Sequence, residues 1–258
     1  MTNAHGDFIW YELLTTDADK AQAFYSDVLG WTVTDSGQPG MDYRILMADG
    51  EGVGGLMQLT QDMQAHGAKP VWLGYIGVKD VDETVAAISD SGGTVQMPPM
   101  DVPNVGRIAM VTDPEGIPFY VMKGTSEGTS TAFSSTSPGH CAWNELTTSD
   151  QQRAFQFYGR HFGWQKGDSM PMGDAGEYQF VVQNGATIGA FAPQMPQGGA
   201  PGWTYVFRVP DIDAAVEKTG SGGGQILHGP HEVPGGDWVI FGLDQLGAKF
   251  ALVGARKG

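Results

Sequence analysis

Cysteine is almost absent from this sequence: Cys141 stands alone among 258 residues. A single thiol excludes an intramolecular disulfide and any Cys-rich metal site, and Cys141 has no His partner at motif spacing, so a buried inert thiol is expected. Basic residues are scarce as well, 14 Lys and Arg against 29 Asp and Glu, for a net charge of −15. A field of that sign repels nucleic acid and anionic membrane, so neither is expected as a partner. No apolar run is long enough to cross a bilayer. The opening MTNAHGDFIW has no basic start and no apolar core, so no signal peptide is expected and a cytoplasmic location is. There is no P-loop, Rossmann glycine fingerprint or G-x-S-x-G elbow, and SGGGQ (221–225) follows a helical stretch and reads as its stop.

Repetition is abundant. IWYELLTTDADKAQAFYSDVLGW (9–31) returns as AWNELTTSDQQRAFQFYGRHFGW (142–164), so that Trp10 and Trp143, Tyr25 and Tyr158, and Trp31 and Trp164 are each 133 positions apart. Three later blocks recur at a spacing of 131: GVKDVDETVAAI (77–88) with RVPDIDAAVEKT, MPPMDVP (97–103) with HGPHEVP, and DPEGIPFYVMKG (113–124) with DQLGAKFALVGA. Four blocks in constant order mark an internal duplication. Between the copies, GTSEGTSTAFSSTSP (124–138) has little to bury and reads as a linker. The expected organisation is a domain over 1–123, a linker over 124–138 and a second domain over 139–258.

Each copy reads as two βαβββ modules, an α+β fold. Residues 8–14 alternate as a strand, and 17–29 carry Ala21, Phe24, Tyr25, Val28 and Leu29 at helical spacing. Thr16 or Asp17 serves as N-cap and Gly30 as terminator. Strands are expected near 31–34, 43–48, 53–59 and 71–78. A helix follows from Asp80 to about Ser89, stopped by Gly92-Gly93, and then strands near 94–100, 106–112 and 117–123.

FYSDVLGW, GVKDVDETVAAISDSGG and DPEGIPFYV together resemble the vicinal oxygen chelate superfamily, which includes glyoxalase I, extradiol dioxygenases and the bleomycin and fosfomycin resistance proteins. The start W-x-E-L and the segment PPMDVPNVGR are similar to a tandem, glyoxalase-related branch. The resemblance implies two tandem domains, each a pair of βαβββ modules forming a half-open curved sheet around a small molecule. Metal-dependent members take His, Gln or Glu ligands from four inward strand positions. Those positions match Trp10, Gln58, Leu73 and Tyr120 in the first copy, and Trp143, Pro193, Thr204 and Ala251 in the second. Indole, alkyl and methyl groups ligate no divalent cation, so no metal or other cofactor is expected. A divalent metal on displaced ligands is the alternative, with at least three of His140, Glu145, His228, His231 and Glu232 converging.

Alternation puts Glu12 on the face of Trp10, and Glu145 on that of Trp143. A carboxylate beside an indole in a partly enclosed cavity suits general acid–base work; pairing with an arginine or with backbone at the sheet rim is the structural alternative. Glu12 and Glu145 are the candidate catalytic residues, with Arg107 as anion contact. The aligned residue in the second copy is Trp238, so the two cups differ. Trp10, Tyr43, Gln58, Met97, Met100 and Tyr120 are candidate binding residues in the first copy. Trp143, Tyr178 and Trp238 are the counterparts in the second. In HGPHE (228–232), Pro230 interrupts the strand, leaving His228 able to share a face with Glu232 and His231 pointing away; His231 is a candidate polar contact. These readings lead to a small-molecule-binding or sequestering protein, or a lyase or isomerase working without the usual metal. It is expected as a monomer or homodimer, and a metal-dependent lyase or dioxygenase is the alternative.

Overall fold

The computed structural model describes residues 2–38, 40–195 and 199–257. The first repeat runs β1 (Phe8–Thr15), α1 (Ala18–Leu29), β2 (Thr32–Asp35), β3 (Tyr43–Ala48), β4 (Glu51–Gln58), α2 (Gln61–Ala65), β5 (Val71–Gly77), α3 (Val81–Asp90), β6 (Thr94–Val102), β7 (Gly106–Thr112) and β8 (Pro118–Gly124). The second repeat runs β9 (Cys141–Thr148), α4 (Gln151–Phe162), β10 (Gln165–Pro171), β11 (Glu177–Gln183), β12 (Ala186–Pro193), β13 (Gly202–Arg208), α5 (Ile212–Ser221), β14 (Gln225–Glu232), β15 (Trp238–Leu243) and β16 (Lys249–Gly254). A short 3₁₀ turn spans Gly173–Ala175. In the first repeat, α2 is the one element that the sequence pattern does not announce. Five residues capped by Thr60 are too few to show a period.

Local chemistry sets these boundaries. The four longer helices begin at Asp17, Asp80, Asp150 and Asp211, each accepting a backbone N–H of its first turn through its side chain; this satisfies a donor that has no intrahelical acceptor. The FYSDVLGW helix and its repeat end at Gly30 and Gly163, both left-handed, with φ of 73° and 76°. That conformation suits glycine.

The strands form two eight-stranded sheets of identical order, β2-β3-β4-β1-β5-β8-β7-β6 and β10-β11-β12-β9-β13-β16-β15-β14. Within each module the first and last strands run parallel, as β1 with β4 and β5 with β8; the rest is antiparallel hairpin. One face of each strand carries the helices. On β7 and β8, Ala109, Val111, Phe119 and Val121 are fully buried against that side, whereas Ile108, Met110 and Met122 on the opposite face are half-buried.

Packing groups the modules across the repeats. One compact unit comprises the described residues of Met1–Ile9, Gly74–Ser130 and Trp143–Trp203; the other comprises those of Trp10–Leu73, Thr131–Ala142 and Thr204–Gly258. Each unit thus holds one module from each repeat, and the repeated motifs tie them. In the unit containing α1 and α5, Tyr25 Oη donates to Asp244 Oδ2 at 3.1 Å and accepts from Trp72 Nε1 at 2.9 Å. Trp31 Nε1 donates to Gly139 O at 2.7 Å. In the unit containing α3 and α4, Tyr158 Oη donates to Asp113 Oδ2 at 3.1 Å and Trp164 Nε1 donates to Gly6 O at 2.8 Å. The blocks most alike between the repeats are therefore those by which each grips the other.

The glycine run after α5 also has a packing role. A Cβ on Gly222 or Gly224 would stand 2.9 Å from the Phe24 ring, so the run admits an aromatic ring as well as ending a helix. The segment expected to bury little is anchored. Ala132 is fully buried, Ser130 Oγ donates to Ile9 O at 2.6 Å, Ser134 N to Cys141 O at 2.9 Å and Arg208 Nε to Ser135 O at 2.8 Å. Small polar residues suit this path because their backbone and hydroxyls, rather than bulk, make the contacts.

Candidate functional site

In the unit containing β9–β12, Trp143, Glu145 and Thr147 share the face of β9 away from the helices; all three are half-buried and alternate with buried Asn144, Leu146 and Thr148. Tyr178, at the start of β11, lies over this face. Trp143 Nε1 donates to Tyr178 Oη at 2.8 Å, and Tyr178 Oη donates to Glu145 Oε2 at 2.7 Å. Phe180 meets both rings edge-on, 5.7 Å from Trp143 and 6.0 Å from Tyr178. Burial of the phenol, and next the charge of Glu145, hold Tyr178 well above the ordinary tyrosine pKa. It therefore stays protonated and keeps donating across the working pH range. The result is a carboxylate set in an aromatic wall.

The first repeat places the same residue types in the other unit. Trp10 Nε1 donates to Tyr43 Oη at 2.9 Å, and Glu12, two residues on, is only 3% exposed. Glu12 pairs in register with Gly55 of β4, and the Tyr43 hydroxyl occupies the space that a Cβ on Gly55 would fill. The sequence pattern presents Tyr43 and Tyr178 only as lining. Their hydrogen bonds to the tryptophans were detectable as a tyrosine kept 33 and 35 residues after Trp10 and Trp143.

Met97, Met100 and Tyr120 come together on one sheet face. Register across β5, β8, β7 and β6 sets Tyr75, Tyr120, Met110 and Met97 in one row, and Met122, Ile108 and Met100 in the next. Tyr75 and Tyr120 stack at 4.2 Å with 11° between their planes. A register shift between Met97 and Met100 brings both methionines to this face although three residues separate them.

Four expectations are corrected by the alternation of strand faces. Gln58 lies on the helix side of β4, where Oε1 accepts from Ala18 N at 2.7 Å and Nε2 donates to Thr16 O at 2.8 Å; it caps the start of α1. Arg107 shares a face with buried Ala109 and Val111 and grips α3, with Nε 2.6 Å from Asp82 Oδ2 and Nη1 3.1 Å from Asp101 Oδ1. Trp238 likewise shares the face of buried Ile240 and stacks under the Arg256 guanidinium at 4.6 Å, while Arg256 pairs with Asp213 of α5 at 3.0 Å. The second repeat thus keeps a tie to its helix with the arginine moved to the segment after β16. His231 does not point away from His228. The shift around Gly229-Pro230 sets them opposite Val239 and Phe241, which share a face; both histidines are exposed.

The donor set does not fit the divalent metal of the fold's metal-dependent members. Away from the helices, β1, β4, β5 and β8 offer Trp10 and Glu12, Gly55 and Met57, Leu73 and Tyr75, and Tyr120 and Met122. Strands β9, β12, β13 and β16 offer Trp143 and Glu145, Ala190 and Ala192, Thr204 and Val206, and Ala251 and Val253. Among these described positions that is one carboxylate in each set of four strands, where such an ion needs several oxygen or nitrogen donors. Thr204 Oγ1 is buried without a partner, but a lone hydroxyl beside Val206 and Ala251 makes no ligand set. Among the described residues, no three His, Cys, Asp or Glu side chains gather as a metal site requires. His140, one of the alternative ligands, directs Nδ1 to Thr131 O at 2.6 Å.

A surface depression of about 480 Å³ beside β2 and β3 is lined by Gln22, Asp35, Asp42 and Arg44 among others. Its one cation, Arg44, is neutralised by Asp19 at 2.7 Å and Asp42 at 2.9 Å. The tyrosine–carboxylate chemistry lies elsewhere, on the sheet faces.

Paired βαβββ modules, a parallel first and last strand in each, and a face of aromatic, thioether and carboxylate groups define a glyoxalase-type fold. The chain belongs to the Glyoxalase/Bleomycin resistance protein/Dioxygenase superfamily, whose pattern matches residues 8–121 and 137–252. It is 31% identical over 248 residues to CFP32 of Mycobacterium tuberculosis, a protein whose name proposes it as a glyoxylase, covering 95% of this chain and 93% of that protein. It is 32% identical over 269 residues to the anthracycline biosynthesis protein DnrV of Streptomyces peucetius, covering 99% and 95%. The fold matches that of the Mn(II)-bound glyoxalase from Novosphingobium aromaticivorans with a TM-score of 0.68 and 18% identity, over 97% of this chain and 82% of that one. No described helix is long and apolar enough to cross a membrane.

Proposed function

We propose that this protein binds a small, planar, largely apolar organic molecule on the sheet faces away from its helices, without a divalent metal. The observation that carries this reading is the composition of those faces. Where a metal site would need nitrogen and oxygen donors, they present half-buried Trp143, Tyr178 and Phe180 in one place and Met97, Met110 and stacked Tyr120 in another. Flat rings and polarisable thioethers favour flat, polarisable ligands. The Glu145 carboxylate beside Trp143 and Tyr178 adds a point of polar recognition. A relative named for anthracycline biosynthesis and a fold neighbour named as a glyoxalase are in keeping with a small organic ligand.

The test is a fluorescence titration of the EDTA-treated full chain with 2-naphthol and 2-methoxynaphthalene. Saturable binding unchanged by added Mn²⁺, Zn²⁺ or Ni²⁺ is expected. Binding that requires one of these ions defeats the metal-free reading, and no saturable binding of either compound defeats the aromatic one.

A further inference from the structure

Edge strands β6 and β14 carry different chemistry at matching positions. We infer that the face of β13–β16 away from α5 binds a small organic molecule through a carboxylate group, received by the paired imidazoles of His228 and His231. This deepens the reading that the sheet faces bind small molecules and rests on it.

Register builds the site. His228 stands opposite Phe241 and His231 opposite Val239; the first row continues to Ala251 and Val206, the second to Val253 and Arg208. The equivalent rows in the first repeat are Met97, Met110, Tyr120 and Tyr75, and then Met100, Ile108, Met122 and Gly77. Every one of these lies 131 positions before its counterpart. The register shift around Gly229-Pro230 puts both histidines on this face, in rows two residues apart on β15 and hence about 7 Å apart. That spacing lets two imidazoles meet one carboxylate. Half-buried Val239 and Phe241 supply an apolar floor beside them for the body of the ligand.

Charge selects the ligand. Both histidines are exposed, where the first repeat has thioethers, which carry no charge at any pH. Imidazole gains a proton as pH falls from about 8 to about 5, and each imidazolium then offers an anion a charge-assisted hydrogen bond. The Arg208 guanidinium in the second row is held by Asp237 at 2.9 Å and by Ser135 O at 2.8 Å, so its charge is already paired. Lys249, in register with Leu243, is a further cation on this face. Glu232 pairs with Trp238 and shares its side of the sheet, where α5 carries Asp213, Glu217 and Lys218. The net charge of −15 repels anions at long range. At physiological salt that field is screened beyond about 8 Å, so the local groups decide.

The test is a set of fluorescence titrations of the EDTA-treated full chain with 2-naphthoate and with neutral 2-methoxynaphthalene, at about pH 5.5 and about pH 8. At the lower pH, wild type should bind 2-naphthoate at least fivefold more tightly than the neutral compound. The preference should fall below twofold at the higher pH and in His228→Gln/His231→Gln, whose changes at exposed positions leave the fold intact. The matched variant Met97→Gln/Met100→Gln should keep it. A fivefold preference that survives the histidine changes or the higher pH overturns this inference alone, as does equal binding of the two compounds at the lower pH or loss of the preference in the methionine variant. Failure of both compounds to bind at either pH overturns the aromatic reading together with this inference.

Discussion

Tyr25→Phe isolates the tie between the FYSDVLGW helix and the second repeat. The ring remains, with its edge-on contacts to Trp72 at 5.3 Å and Phe250 at 5.9 Å, so no cavity of consequence opens. What is removed is one oxygen serving two partners. Trp72 Nε1, in a residue 2% exposed, loses its acceptor, and Asp244 Oδ2, in a residue 4% exposed, loses a donor. A buried donor left without a partner costs about 1–3 kcal/mol, and a hydrogen bond to a charged group contributes about 1.5–3 kcal/mol. The two together give a loss of about 2.5–6 kcal/mol. Asp244 keeps the backbone N–H groups of Leu246 and Ala248, both at 2.9 Å, which keeps the figure toward the lower end. Urea denaturation followed by tryptophan fluorescence should show a lower midpoint at unchanged slope. In a double-mutant cycle with Trp72→Phe, the second change should cost at least about 1 kcal/mol less in the Tyr25→Phe background than in wild type. A Tyr25→Phe loss below about 1 kcal/mol would refute the view that this hydroxyl joins the repeats.

Asp113 gives a pH-dependent counterpart. Burial holds its carboxyl above the ordinary aspartate range against the opposing backbone N–H bonds, so its stabilising contribution is complete below pH 3.8 and declines as pH rises through the folded pKa. Asp113→Asn, which mimics the protonated form, should therefore gain on wild type as pH rises above 3.8, read as a change of sign or size in the melting-temperature difference; a constant difference contradicts the burial argument. Gly224→Ala would place a methyl 2.9 Å from Leu243 O and from the Phe24 ring, and overpacking of this kind should lower stability by about 1–3 kcal/mol in chemical denaturation. Gln58→Leu removes the side-chain acceptor from Ala18 N and a donor from Thr16 O, for a loss of about 1–3 kcal/mol, with faster amide exchange in the first turn of α1. By contrast, the Arg107 ion pairs are exposed, and Arg107→Leu should cost no more than about 1 kcal/mol and leave 2-naphthol binding unchanged.

Much of the fold was legible because its signals are local. Period-2 and period-3.6 patterns, Asp caps and terminating glycines act within a few residues, and β3 and β7 fall where alternation places them. The duplication was legible because Trp, Tyr and Gly positions recur at constant spacing. The site was less so. Face assignment in a strand reverses with a slip of one residue, and that slip moved Gln58, Arg107 and Trp238 from the expected cup to the helix side. Bulges at the Pro-containing segments did the opposite for Met100 and His231, bringing them to faces a regular strand would deny them.

By itself the sequence determined two tandem copies of βαβββ modules and the family to which they belong. Tertiary structure alone decided which partners the repeated motifs have. Tyr158 finds Asp113 across more than forty positions and Tyr25 finds Asp244 across more than two hundred, and no periodicity encodes a contact of that range. It also decided that Glu12, in register with Gly55, is 3% exposed, whereas Glu145, in register with Ala190, is half-buried. Such differences depend on which side chain fills the space beside a strand, and that space exists only once the sheet has formed.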